Sequence, residues 1–221
     1  IEAVSTVIQF AKATGAKVGV CHITVPAACQ LVKEAKAQGV DITAETCFHY
    51  LLFDNSAIDR YGAYAKCNPP LRSKEDMEGL WPYVLDGTID YLGSDHAPFV
   101  PAEKAVESWR AFSGLPGMEV MLPLMLTKVN EGKLSLERLA CFMSENVCRT
   151  FGFYPRKGAV QPGADADLVI IDLTAEHTLN MERMYTKAKL INRLFDGIPC
   201  KGKPVYTISR GRILFADGEV R

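Results

Sequence analysis

The sequence predicts an α/β protein built on a parallel sheet, and three observations support this fold class. Short apolar runs alternate with segments of helical period, the connections between them are short, and polar residues follow each run. The apolar runs are Ala16–Cys21, Val40–Cys47 and Thr88–Gly93. Strands buried on both faces have this composition, and parallel strands need helical crossovers between them. We therefore expect a parallel α/β sheet or barrel.

The helices of this first part follow from apolar period and from end signals. The segment Ile1–Thr14 carries apolar residues at helical spacing and stops at a glycine. Pro26 suits the first turn of a helix over Ala27–Gln38, and a third helix is expected over Ser73–Leu85 with its first residue as N-cap. The stretch Phe48–Arg72 is rich in Asp, Asn, Gly and Pro, which predicts a long irregular loop of the kind that is usually functional.

Beyond Pro101 the pattern changes to two helices followed by a small β appendage. The expected elements are helices over Gly117–Glu131 and Leu134–Phe151, the second with Ser135 as N-cap, and strands over Leu168–Leu173, Val205–Arg210 and Ile213–Phe215, with an Asp217-Gly218 turn. The last strands are expected to pair antiparallel. We divide the chain into residues 1–155, the α/β part, and residues 156–221, the appendage with its connecting segments.

Composition and charge exclude several classes of protein. The chain has 221 residues, with 25 Lys+Arg against 26 Asp+Glu, so it lacks the basic surface that binds nucleic acid or anionic membranes. No apolar run reaches the roughly 18 residues that span a bilayer. The seven cysteines are scattered and odd in number, which favours free thiols in a reducing, cytoplasmic setting over a disulfide framework.

Two of the three apolar runs end in residues that suit metal chemistry. Asp95-His96 follows the third run, and His22 follows the first. Carboxylate and imidazole both bind zinc-like ions, and a carboxylate also serves as a general base. An Asp-His pair is equally compatible with a solvated loop, but the carboxyl ends of parallel strands meet at one edge, which favours a shared site.

Three further positions are candidates, and the first two keep two interpretations each. His49, after the second run, is either a hydrogen-bonded structural histidine or a site residue. Asn68 precedes a double proline, which either aims it at a ligand or forms a structural turn. His177 lies among polar residues of the appendage, and we expect it to be solvated.

Six sequence blocks, in order along the chain, resemble the C-terminal half of the cyclic amidohydrolases, the family of hydantoinases/dihydropyrimidinases, allantoinases and dihydroorotases. The blocks are CHIT at Cys21–Thr24, AETCFHYL at Ala44–Leu51, KCNPPLR at Lys66–Arg72, LGSDHAPF at Leu92–Phe99, GLPGME at Gly114–Glu119 and GADADLVIIDL at Gly163–Leu173. Each block alone is weak, but together they cover nearly the whole chain.

The resemblance implies the C-terminal part of a (β/α)₈ barrel with two divalent metals, usually zinc, and a small β-sandwich appendage. His22 matches a ligand of the second metal, and Asp95 matches a ligand of the first that also moves the proton from the attacking hydroxide to the leaving ring nitrogen. Asn68 and the loop residues Gly114, Leu115 and Gly117 match positions that border a small cyclic-amide substrate. The family is often homotetrameric.

The remaining site candidates are His49 and His96, which we expect to lie behind the ligands and not on the metal. The family's His-x-His, carboxylated lysine and fifth-strand histidine have no counterpart in this sequence, which has only four histidines and opens at Ile1. We therefore expect a fragment of a longer enzyme, inactive alone and poor in metal affinity.

The substrate stays open within the family. Dihydroorotases place a second histidine, which holds the substrate carboxylate, where this chain has Phe99; that substitution favours a hydantoin or dihydropyrimidine, with allantoin as the second choice. A non-catalytic dihydropyrimidinase-related scaffold is the alternative from another class, and retention of both His22 and Asp95 argues against it. A third alternative is a folding unit whose exposed sheet edge self-associates.

Overall fold

The computed structural model describes residues 1–216 and 218–221; Asp217, half of the expected Asp217-Gly218 turn, lies outside the described residues. The chain divides into two compact units. The first unit comprises Ile1–Gly117 with Thr186–Leu194, and the second comprises Met118–Tyr185 with Phe195–Arg221. The domain boundary expected after residue 155 stays a prediction. A division into compact units need not coincide with a division into domains.

The first unit contains the parallel sheet that the sequence predicts. Its strands are β1 Val18–Val20, β2 Ile42–Cys47 and β3 Tyr91–Gly93, in the spatial order β1-β2-β3. Both pairings are parallel, so all three strands end at the same edge. The expected α/β class is thereby confirmed.

Three main helices accompany this sheet, close to the expected bounds. They are α1 Glu2–Thr14, α2 Pro26–Ala37 and α5 Lys74–Leu85. Helix α1 ends where Gly15 adopts the left-handed conformation, at φ 70°. Helix α5 begins after Ser73, whose side chain accepts a hydrogen bond from the Asp76 N–H, as predicted. Helix α2 packs against β2 and α5, and the core of the unit lies between them.

The long loop expected over residues 48–72 is wrong in part, because it contains helical turns. These are α3 Phe48–Leu52, α4 Ser56–Tyr61 and a 3₁₀ turn at Gly62–Ala65. Each is shorter than two turns, so the apolar residues do not repeat often enough to show a helical period. A further four-residue helix, α6 Pro101–Lys104, was likewise not expected.

The second unit combines helices with an antiparallel sheet. Its helices are α7 Met118–Asn130, α8 Leu136–Ala140 and α9 Asn146–Thr150, the last two joined by a π-helical turn at Cys141–Glu145. Its strands are β4 Leu168–Thr178, β5 Pro199–Ser209, β6 Arg212–Ala216 and β7 Glu219–Val220, paired in that order. The antiparallel pairing of β5 with β6 is confirmed. Among the described residues, no helix is long and apolar enough to cross a bilayer.

Candidate active site

Three side chains meet at the carboxyl edge of the parallel sheet. His22 lies two residues after β1, Glu45 belongs to β2, and Asp95 lies two residues after β3. His22 Nε2 is 3.6 Å from Glu45 Oε1 and 3.8 Å from Asp95 Oδ1. The structure therefore brings His22 and Asp95, the two metal ligands expected from the sequence, to one place.

Local hydrogen bonds hold His22 at this edge. The Ile23 N–H donates to the Glu45 carbonyl at 2.9 Å, and the buried Thr46 hydroxyl donates to the Ile23 carbonyl at 2.7 Å. The segment after β1 is thus tied to β2 beyond the last paired residue. On the other side of β2, Gly93 has no Cβ; a Cβ there would lie 2.7 Å from the Glu45 carboxylate, so the glycine gives this side chain its room.

His22 and Asp95 share an uncommon backbone conformation. Their φ angles are 56° and 42°, and the only other described non-glycine residue with positive φ is Arg210. Such conformations cost free energy, and they collect at functional sites where the surrounding structure enforces them. Both candidate ligands are therefore aimed by a turn of the backbone directly after a strand.

Two further donor atoms, which sequence reasoning did not assign as ligands, lie beside this group. One set of mutually close donors is His22, Glu45 and Cys47; the other is Cys47, His49 and Asp95, with all donor atoms in each set within 4.8 Å of one another. Glu45 and Cys47 sit inside β2, where a polar residue looks like ordinary alternation along a strand. No local signal singled out Glu45, because the run Val40–Cys47 also contains Asp41 and two threonines.

His49 does not fit the interpretation as a hydrogen-bonded structural histidine. Its side chain is fully buried, and neither ring nitrogen has a hydrogen-bond partner among the described residues. Its ring contacts Phe48 edge-on and Tyr50 at a tilt. A buried, unpartnered imidazole is costly unless something satisfies it, and here one nitrogen faces the Cys47–Asp95 donors.

Burial governs the protonation of the acidic and basic groups at this edge. It raises the pKa of Glu45 and of Asp95, and the neighbouring His22 opposes both shifts. It lowers the pKa of His49 to about 3, with His22 adding to the shift. His49 is therefore neutral at physiological pH, which is the form of imidazole that binds metals.

The chemistry of these donors fits a divalent metal. Imidazole nitrogen, carboxylate oxygen and thiolate sulfur are the ligands that zinc accepts, and alkaline-earth ions prefer oxygen alone. The unpartnered nitrogens of His49 add to this fit, because they lack any other acceptor or donor in the described part of the chain.

The expected substrate loop lies against the segment that carries Asp95. The Ala97 N–H donates to the Leu115 carbonyl at 3.0 Å, and His96 forms an isolated parallel bridge with Leu115. His96 is thus placed beside the loop, and not within either donor set. A Cβ on Gly117 would lie 2.4 Å from the Phe48 ring and 3.2 Å from the Ser94 carbonyl, so this position has room for glycine alone.

Asn68 and the open space of the site lie on the same unit. The Asn68 side chain is exposed, and the Asn68–Pro69 peptide bond is cis. A cavity of about 390 Å³ opens beside His22, and its lining includes Thr24, Pro69 and Arg72. Arg72 Nε donates to the Thr24 hydroxyl at 3.2 Å across this cavity wall.

Comparison with known proteins identifies the family of the chain. A family profile described as "Amidohydrolase family" matches residues 6–214. The chain is similar to an allantoinase of Rubrobacter xylanophilus, at 40% identity over 100% of this chain and 48% of the relative. It is also similar to a dihydroorotase of Geobacter, at 38% identity over 98% of this chain and 50% of the relative.

The solved structures that the chain resembles include hydantoinases. An L-hydantoinase (dihydropyrimidinase) from Arthrobacter aurescens superposes with a TM-score of 0.93 at 36% identity, covering 100% of this chain and 49% of that one. A D-hydantoinase superposes with a TM-score of 0.92 at 29% identity, again covering 100% and 49%. The chain spans about half the length of the curated relatives it matches.

Proposed function

This chain belongs to the amidohydrolase family, and from that premise we propose that the whole protein is a metal-dependent hydrolase that opens a cyclic amide of the hydantoin or dihydropyrimidine type. The observation that carries the proposal is the meeting of His22 and Asp95 at the carboxyl edge of the sheet, 3.8 Å apart. This edge is where α/β enzymes place their reactive groups.

His22 and Asp95 would hold the divalent metal, for which zinc fits the donor chemistry. When bound, such an ion polarises a carbonyl oxygen and makes hydroxide available at neutral pH. The Asp95 carboxylate accepts the proton of the attacking water and returns it to the ring nitrogen as the amide bond breaks. His49 offers a ring nitrogen beside Asp95 from the buried side of the site, and His96 holds the neighbouring loop.

The substrate side of the site is assigned to Asn68 and to the Gly114–Gly117 loop. The Gly114 N–H and C=O, the Leu115 C=O and the Gly117 N–H take part in internal hydrogen bonds. The Leu115 N–H and the Gly117 C=O are therefore the loop groups that we assign to a cyclic amide, which offers one donor and one acceptor at each peptide-like bond. The lack of a side chain at Gly114 and Gly117 lets Ala97 and Phe48 pack directly against this loop, which fixes the position of its backbone.

The proposal extends to the barrel and the appendage of the fold. We take β1–β3 with their helices as consecutive strands of a (β/α)₈ barrel, within residues 1–155, and the strands after residue 156 as a β-sandwich appendage. The family likeness supports both assignments. A homo-oligomeric state and a cytoplasmic location stay predictions.

A second ring substrate, allantoin, is supported by the similarity to an allantoinase. Dihydroorotate is less favoured, because Phe99 stands where that substrate's carboxylate would need a charged or polar partner. The Phe99 ring stacks at a tilt on Phe112, with centroids 5.2 Å apart, and offers no hydrogen bond. A non-catalytic scaffold would have no reason to keep a strained histidine and a strained aspartate together at the sheet edge.

The test replaces Asp95 in the whole protein and measures hydrolysis of hydantoin, dihydrouracil, allantoin and dihydroorotate. Asp95→Asn keeps the shape of the side chain, and we expect kcat to fall by about 10²–10⁴-fold. Asp41→Asn is the matched control, since Asp41 is exposed and lies directly before β2, at the opposite edge of the sheet from Asp95. Unchanged turnover by Asp95→Asn would remove the proposed role of this residue.

A further inference from the structure

The buried lysine of the first unit has no role in the proposal above. Lys104, the last residue of α6, is 0% exposed. Its ammonium group donates to three main-chain carbonyls: Lys66 at 3.1 Å, Phe112 at 3.1 Å and Gly114 at 3.0 Å. A lysine ammonium has three protons, so these bonds use its whole donor capacity.

A second lysine makes a similar set of hydrogen bonds to the same segment of the chain. The Lys66 ammonium donates to the carbonyls of Ser108 at 2.8 Å, Trp109 at 3.4 Å and Ala111 at 2.7 Å. The two lysines therefore bind five carbonyls of the irregular segment 108–114, which connects α6 to the Gly114–Gly117 loop. We call Lys66 and Lys104 the lysine pair.

Burying Lys104 is costly, which makes its partners informative. Burial lowers the pKa of its ammonium group to about 8. A charged group that is removed from water persists only where hydrogen bonds replace its hydration, and bonds to a charged donor are stronger than neutral ones. A leucine or methionine would fill the same space at lower cost, so the hydrogen bonds are the reason for a lysine here.

The lysine pair joins the two segments to which substrate contacts are assigned. The Lys66 carbonyl accepts from Lys104 Nζ and also from the Gly114 N–H, at 2.9 Å. Lys66 lies two residues before Asn68, and Gly114 opens the Gly114–Gly117 loop. The Lys66 peptide is thus the point at which the Asn68 segment and this loop are held together.

Close packing keeps that junction rigid on its far side. A Cβ on Gly114 would lie 2.3 Å from Ala97 Cβ and 2.9 Å from the Phe99 ring. The loop therefore lies between the lysine pair on one side and the segment following Asp95 on the other. A displacement of the loop would change the distance between its main-chain groups and Asn68.

We propose that Lys104, supported by Lys66, is a positioning residue that holds the Asn68 segment and the Gly114–Gly117 loop at the spacing required by the two ends of the substrate's cyclic amide. The inference rests on the proposed function for its substrate, but the junction itself is independent of activity. Substrate positioning of this kind affects rate strongly, since a misplacement of about 1 Å can cost about 10²-fold.

The first measurement is amide hydrogen exchange in the whole protein. Lys104→Met keeps the length of the side chain and removes the donors, and we expect the Gly114 amide and those of residues 108–113 to exchange about tenfold faster or more. Lys33→Met is the matched control, because Lys33 is an exposed lysine of the same unit that pairs with Asp86 on the surface. Unchanged exchange at Gly114 would overturn the proposal.

The second measurement separates positioning from a purely structural role. In Lys104→Met we expect kcat/KM for the cyclic amide to fall by about 10²-fold with the metal content unchanged. A lowered melting temperature with wild-type kcat and KM would overturn the positioning role. If Lys104→Met does not fold, Lys66→Met, which alters a half-buried side chain, carries both measurements with the same expected directions.

These outcomes also distinguish the inference from the proposed function. If the wild-type protein hydrolyses none of the cyclic amides, the proposed function fails, and the exchange of the Gly114 amide still decides whether the lysine pair holds the two segments together.

Discussion

The two units of the chain use their sheets differently. In the first unit the strands are short and parallel, and polar groups are buried at their carboxyl ends. In the second unit the strands are antiparallel, two of them are 11 residues long, and large apolar side chains of the sheet are about half exposed. These exposed residues are Val169, Ile170, Ile213, Leu214 and Val220.

The difference follows from strand direction. Parallel strands place the residues that follow them at one edge, so side chains far apart in sequence meet there. Neighbouring antiparallel strands end at opposite edges, which disperses such residues. Both sets of donors close enough to share a metal ion, among the described residues, accordingly belong to the first unit.

His177, in the second unit, is a histidine that lies outside both donor sets. It was expected to be solvated, and this prediction is wrong: His177 is half-buried in β4, and its Nδ1 has no hydrogen-bond partner among the described residues. It borders an apolar groove of about 510 Å³ lined in part by Val120 and Leu179, and burial lowers its pKa. The residues on either side of His177 are polar and exposed, so nothing in the sequence indicated its partial burial. Alternate residues of a strand face opposite sides of the sheet.

The largest expected effect compares a histidine from each unit. His22→Ala removes a proposed ligand and should weaken zinc binding to the whole protein by about 100-fold or more, since even groups behind the ligands are worth about 10–100-fold. His177→Ala should leave the affinity unchanged, because His177 belongs to neither donor set. Zinc content and competition with a chelator measure both. Equal affinities for the two variants would break the contrast between the units.

A smaller effect is expected from glycines in the two units. Gly114 has φ 149° and would place a Cβ against Ala97 and Phe99, whereas Gly211 has φ 77° with nothing within 4 Å. Gly114→Ala combines backbone strain with overpacking, and overpacking alone costs about 1–3 kcal/mol. Gly211→Ala carries only the backbone strain of about 1–2 kcal/mol. Urea unfolding checks the order, and a larger loss at Gly211 would contradict the close packing of the substrate loop.

The sequence predicts those features of the molecule that depend on residues close to one another in the chain. Strands β1–β3 and the Ser73 and Ser135 caps were correct because apolar runs and capping side chains act within a few residues. The short helices after β2 were missed because a single turn has no period. Position alone predicted that His22 and Asp95 would meet.

Other site features depend on contacts that no local pattern encodes. Lys104 reads as an ordinary surface lysine, and only the folded chain places three carbonyls around it. Glu45 and Cys47 became candidate donors only when β1 and β3 flanked β2. His49 is buried with no hydrogen-bond partner among the described residues, and its ring contacts Phe48 and Tyr50 instead. These three residues follow β2 in a helical turn.

The smallest expected effect tests a feature that the two units share. Ser73 accepts from the Asp76 N–H at 3.2 Å, and Ser135 accepts from the Arg138 N–H at 3.1 Å. Each Ser→Ala change should lower the free energy of unfolding by about 1 kcal/mol, because capping is local. Ser→Gly at the same positions should cost only a few tenths, on the order of 0.3 kcal/mol. A marked difference between the two serines in urea unfolding would mean that the surrounding unit modifies the cap.

The positive φ angles of His22 and Asp95 have a consequence for laboratory evolution. Glycine adopts this conformation freely, so glycine at either position would release strain of about 1–3 kcal/mol while deleting a proposed ligand. A library screened for heat resistance alone would therefore accumulate glycine at positions 22 and 95 and lose the site. A library that retains His22 and Asp95 therefore needs a second screen, for metal binding or for hydrolysis.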